Sequence, residues 1–124
     1  MNKNAAYLLV NYRRIHNDFQ KMKPEDKEYN SAKQYLDTMQ IYLNRLTEAE
    51  LPQTNFLEKS KLTTNQVKSL CVDTINMAYI TSEYKSSVQM IDVIREKYNL
   101  NLSASRFTLL KEYAIDFFSS ILPN

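Results

Sequence analysis

Hydrophobic residues in the first 50 positions recur at the spacing of an α-helix. Between Ala5 and Met22 they alternate at intervals of four and three residues, and polar residues fill the opposite face. Because a helical turn takes 3.6 residues, this alternation predicts one amphipathic helix. The same alternation from Tyr29 to Leu46 predicts a second helix. The two stripes are Leu8, Tyr12, Ile15, Phe19 and Met22, followed by Tyr29, Ala32, Leu36, Met39, Leu43 and Leu46.

A short segment with a single proline joins the two predicted helices. Pro24 excludes the residue before it from the α region, which ends the first helix. Proline also suits the first turn of a helix, and the acidic residues Glu25, Asp26 and Glu28 would complement the positive end of the next one. We therefore expect the second helix to begin near Pro24 and residues 1–50 to form an antiparallel helical hairpin.

Residues 51–62 have no sustained hydrophobic period and include Pro52. They are predicted to be a connector, with Phe56 and Leu57 as a hydrophobic tether. The periodic pattern resumes after it, so the chain divides into a hairpin, a connector and a C-terminal unit at residues 63–124.

Three further helices are predicted in the C-terminal unit. Their end signals are a capping box at Thr63 and Gln66, a serine in the segment 82–87, a left-handed Asn99, and a cap at Ser103 or Ser105. Their expected buried faces are Val67, Leu70, Cys71, Thr74, Ile75, Met77, Ala78 and Ile80, then Val88, Ile91 and Ile94 with Tyr98 as a candidate fourth member, then Phe107, Leu110, Ala114, Phe117, Phe118 and Ile121. The predicted fold class is all-α, a hairpin followed by a three-helix, helix-turn-helix-like unit.

Composition supports this class and removes several others. The 124 residues include no glycine, which disfavours tight β-hairpins and excludes the glycine-rich phosphate loops of nucleotide enzymes. The one cysteine, Cys71, forms no internal disulfide and is expected to be a buried apolar side chain, which fits a reducing cytoplasm. No apolar run is long enough to span a bilayer, and the N-terminus lacks the features of a signal peptide. We expect a cytoplasmic protein with no membrane partner.

Candidate catalytic and metal-binding groups are sparse. His16 is the one histidine, and it has no cysteine or second histidine at ligand spacing, whereas a zinc site needs three or four such ligands. The clustered carboxylates lie at predicted helix ends, where their interaction with the helix dipole is the ordinary explanation. The sequence predicts a protein that is not an enzyme and has no cofactor or metal.

The segment from Leu100 to Ile115 has the character of a turn followed by a recognition helix. A serine caps the helix so that its positive end can face a phosphate, basic side chains can reach the DNA, and Phe107 and Leu110 attach the helix to its neighbours. The candidate DNA-binding residues are Ser103, Ser105, Arg106, Thr108, Leu109, Lys111 and Glu112.

The order Leu-Ser-x-Ser-Arg-Phe-x-x-Leu-Lys-x-x-Ala-Ile, from Leu102 to Ile115, resembles the C-terminal helix of domains of the sigma-factor region-four type. More narrowly, it is similar to the ArpU/RinA-type late-gene transcriptional regulators of phages of Gram-positive bacteria. The resemblance extends over about residues 63–122. It implies a phage transcriptional regulator that binds double-stranded DNA through a C-terminal helix-turn-helix.

Charge leaves a second interpretation open. Residues 63–124 contain six basic and six acidic side chains, so the net charge of +2 lies in the first half. Glu112 can accept a hydrogen bond from a cytosine amine, but Glu112 and Asp116 on the outward face repel phosphate, and an exposed Leu109 equally suits a protein contact.

Two functions are therefore predicted as alternatives. In the first, the last helix enters a major groove and the hairpin forms a homodimer or contacts RNA polymerase. In the second, the chain is a non-enzymatic protein-binding module, such as a phage-encoded inhibitor of a host protein.

Overall fold

The computed structural model describes residues 3–51, 61–81, 83 and 86–123. Within these ranges all regular secondary structure is helical, which confirms the predicted all-α class. The helices are α1 (Lys3–Val10), α2 (Tyr12–Phe19), α3 (Tyr29–Leu46), α4 (Thr64–Ile75) with a π-helical turn at Asn76–Ile80, α5 (Ser87–Tyr98) and α6 (Ala104–Ser120). Most of the predicted connector, including the proposed tether at Phe56 and Leu57, lies outside the described residues.

The first predicted helix is divided in two at Asn11. The Asn11 side-chain amide donates to the Tyr7 carbonyl at 2.8 Å, the same oxygen that accepts the Asn11 backbone N–H at 3.2 Å. Such local side-chain bonds compete with the helical pattern. The predicted stripe was also wrong about α1, because Ala5 and Leu9 are its fully buried residues and Leu8 is only half-buried. The reason is that α1 packs against α6, which selects a different face.

The second stripe is confirmed as the buried face of α3, through Ala32, Met39 and Leu46. Helix α3 begins at Tyr29, however, and not near Pro24 as predicted. The Asp26 carboxylate accepts the backbone N–H of Lys23 at 2.8 Å, so this acidic residue closes a turn in place of starting a helix.

The predicted end signals of the C-terminal helices are confirmed. Thr63 and Gln66 form a reciprocal capping box at the start of α4. Ser86 caps α5 by accepting from the Gln89 N–H, and Asn99 ends that helix in the left-handed conformation, with φ 50° and ψ 45°. Ser103, of the two serines considered, caps α6.

Two hydrophobic clusters meet along α6. The smaller cluster lies within the C-terminal helices and comprises Leu70, Met77, Ile91, Ile94, Leu102, Phe107 and Leu110. The larger cluster contains residues from both halves of the chain: Ala5, Leu9, Met39, Leu46, Val67, Cys71, Ile75, Tyr113, Ala114, Ile115, Phe117 and Phe118. The N-terminal half of α6 thus rests on a local core, and its C-terminal half is enclosed in a core shared with α1 and α3.

Specific polar and aromatic contacts also join the two halves. The Arg13 guanidinium donates to the Met77 carbonyl at 2.8 Å, which ties α2 to the π-helical turn. The rings of Tyr42 and Phe118 meet edge-on with centroids 6.4 Å apart. These contacts fix the orientation of the C-terminal unit relative to α1–α3.

Candidate nucleic-acid interface

The N-terminal half of α6 presents one face to solvent. Its buried side is anchored by Phe107 and Leu110. Leu109, at the centre of the opposite side, is 59% exposed. The other exposed predicted site residues of this region are Ser103, Ser105, Arg106, Thr108 and Glu112.

This face narrows where α6 enters the shared core. Tyr113 and Ile115 are buried although they follow directly on the exposed stretch, and Asp116 is exposed beyond them. Most of the accessible face therefore belongs to the first half of the helix, the part of a recognition helix that contacts base edges in helix-turn-helix proteins. The end of the helix serves as its anchor.

The hydroxyl groups at the start of α6 are held in place by the helix itself. Ser103 Oγ accepts the Arg106 N–H at 3.2 Å and lies 3.2 Å from Ser105 Oγ. Thr108 Oγ1 donates to the Ala104 carbonyl at 3.2 Å. Ser103 thus acts first as a helix cap, and Ser105 and Thr108 border the exposed face.

The charged side chains of α6 are in different environments. Lys111 is half-buried, and its ammonium lies 5.3 Å from the centre of the Phe107 ring, so the cation lies at the edge of the face. Arg106 and Glu112 are exposed, and neither forms an ion pair with another described residue. Their full hydrogen-bonding capacity is therefore available on this face.

A polar cluster that the sequence did not reveal braces the helices behind this face. Asp73 Oδ2 on α4 accepts from Lys97 Nζ at 2.7 Å and from the Tyr98 hydroxyl at 2.5 Å, both from the last turn of α5. Burial, and then the hydrogen bond to Asp73, raises the pKa of Tyr98, which keeps its hydroxyl a donor. The cluster borders an open cleft of about 410 Å³ between α4, the π-helical turn and α5. It fixes α5, and with it the turn that leads into α6.

Among the described residues, no group of three or more histidine, cysteine, aspartate or glutamate side chains is arranged to hold a metal ion. None of the helices in that part of the chain combines the length and the hydrophobicity that a membrane crossing requires.

Comparison with known proteins adds no family to this description. No family model, curated protein sequence or solved structure matches the chain.

Proposed function

We propose that the protein is a small DNA-binding transcriptional regulator whose helix α6 reads the major groove of double-stranded DNA. One observation carries this proposal: the N-terminal half of α6 exposes a face of hydrogen-bonding side chains while its C-terminal half is anchored in the shared core. The major groove is wide enough to admit such a helix.

The charge distribution defines what kind of DNA binding is expected. Because the C-terminal unit has no net positive charge, it can neutralise few phosphates, and non-specific attraction to DNA should be weak. Affinity must then come from contacts with base edges and from a small number of backbone contacts. Arg106 is the exposed cation best placed on α6 for such a contact.

The proposal is tested by fluorescence anisotropy with duplexes from the genomic region upstream of the protein's own gene. The double variant Arg106→Ala/Lys111→Ala should raise the dissociation constant at least about tenfold. The matched control is Lys27→Ala/Lys33→Ala, which removes the same charge from exposed positions outside α6 and should have a much smaller effect. Equal weakening by both variants, or unchanged binding of the α6 variant, would contradict the assignment of α6.

The second candidate function is a protein-binding module, such as an inhibitor of a host protein. The exposure of the apolar Leu109 favours it. The stripe of α3 is not available as the docking surface of such a module, because Ala32, Met39 and Leu46 are buried within the chain. A tight complex with a host protein that survives nuclease treatment and tolerates the α6 double variant would support this function over DNA binding.

A further inference from the structure

Three exposed side chains of different chemistry follow one another along the outward face of α6. Arg106, Leu109 and Glu112 are spaced three residues apart, so consecutive members are about 4.5 Å apart along the helix axis. Together they cover about 9 Å, comparable to the length of a few base pairs at about 3.4 Å each. The three positions can therefore face successive base pairs in a major groove.

Each of these side chains is complementary to a different kind of base edge. The Arg106 guanidinium only donates hydrogen bonds, which suits the O6 and N7 acceptors of guanine. An ionised Glu112 carboxylate only accepts, and in the major groove it matches the N4 amine of cytosine. Leu109 does neither, and its methyl groups match the C5-methyl group of thymine.

The exposed carboxylate of Glu112 distinguishes a helix that reads bases from one that only holds the DNA backbone. Glu112 repels phosphate and cannot pair with the acceptor groups of thymine or guanine. Adenine offers an N6 amine, but the N7 acceptor beside it repels a carboxylate, so cytosine is the base that Glu112 matches best. Glu112 forms no ion pair with a described residue that would offset this cost. A protein that held only the DNA backbone would lose affinity by having a carboxylate there.

We propose that α6 selects its DNA site by a donor, methyl and acceptor order, in which Arg106 binds guanine, Leu109 contacts a thymine methyl group and Glu112 requires cytosine. This inference rests on the proposed DNA-binding function and adds to it the bases that the site contains. Glu112 is the discriminating residue of the three, because it rejects wrong bases as well as binding the right one.

The test begins with duplexes selected by the wild-type protein from a random-sequence library. Dissociation constants are then measured for the selected duplex, for versions with each cytosine·guanine pair replaced by thymine·adenine, and for versions with each thymine replaced by deoxyuridine. For the wild type, replacement should weaken binding by about ten- to a hundredfold at two pairs, the one whose guanine Arg106 binds and the one whose cytosine Glu112 binds. Replacement of one thymine by deoxyuridine should weaken it by a smaller factor.

Variants assign these sensitivities to side chains. Glu112→Ala should lose the sensitivity to one of these two replacements and keep the sensitivity to the other, which belongs to Arg106. Leu109→Ala should no longer distinguish thymine from deoxyuridine. Asp116→Ala removes an exposed carboxylate one turn further along α6 and should keep both preferences of the wild type. Circular dichroism melting curves establish that each variant is folded.

The possible failures are distinguishable. If the library yields no preferred duplex, the proposed DNA-binding function itself fails. If a duplex is selected and bound but Glu112→Ala retains the full preference for cytosine, the function stands and the assignment of Glu112 is overturned.

Discussion

At the scale of single residues, the environment of the free thiol of Cys71 determines its reactivity. Cys71 is fully buried in the cluster that both halves of the chain share. Burial raises the pKa of this thiol from 9.0 to about 12. Since the thiolate is the reactive form, Cys71 is an inert packing side chain in the folded protein, as its apolar neighbours in the sequence predicted.

Titration of Cys71 should make the folded state less stable in alkali. The unfolded chain releases the thiol proton near pH 9 and the folded chain only near 12, so the contribution of Cys71 to stability is complete below pH 9 and is lost as the pH rises towards 12. Urea unfolding across this range should therefore show a steeper loss of stability for the wild type than for Cys71→Ala. The Cys71 charge also raises the pKa of Tyr98 and Tyr113, so the difference between the two curves reports the thiol together with its interaction with these two tyrosines. Parallel curves would contradict a buried, protonated thiol.

At the scale of the helices, what could be predicted from the sequence depended on how local the determining interactions are. The caps at Thr63 and Ser103 involve residues three positions away, so their spacing in the sequence was sufficient. The buried face of α1 was mispredicted because it depends on the position of α6, about a hundred residues later in the chain. The exposed face of α6 was foreseeable because its helical period alone separates the apolar side from the polar one. The contact between Asp73 and Lys97 was not foreseeable, because packing of α4 on α5 creates it.

The capping box at the start of α4 should make a measurable contribution to stability. Thr63→Ala removes the acceptor for the Gln66 N–H and should lower the free energy of unfolding by about 0.5–2 kcal/mol. Thr64→Ala is the matched control, since this neighbouring threonine is exposed and does not cap the helix; its effect should stay within about 0.5 kcal/mol. Urea unfolding followed by circular dichroism gives both values, and equal effects would show that the box does not stabilise α4.

At the scale of the whole molecule, α6 is the element on which both halves depend. Its C-terminal half supplies Phe117 and Phe118 to the same cluster that holds Leu9 and Met39 from the N-terminal helices. A cluster that unites distant parts of a chain should be lost as a unit, because removing either half would expose the apolar surface of the other. We therefore expect the shared core to unfold in one cooperative transition, and the exposed face of α6 to be lost with it.

Leu9→Ala tests whether the shared core unfolds as one unit. Leu9 lies on α1, the helix of this core that is farthest from α6 in sequence. Truncating this fully buried side chain should lower the free energy of unfolding by about 2–5 kcal/mol and leave a single transition, followed by circular dichroism and by tyrosine fluorescence. Tyr7→Ala is the control on the same helix; its side chain is 64% exposed, and the change should cost much less. If the N-terminal helices were instead an appendage to an independent C-terminal unit, Leu9→Ala would split the unfolding into two transitions, and only the first would move. If they form one folding unit, Leu9→Ala will weaken the proposed binding to DNA only at urea concentrations that unfold the protein, because Leu9 does not lie on the exposed face of α6.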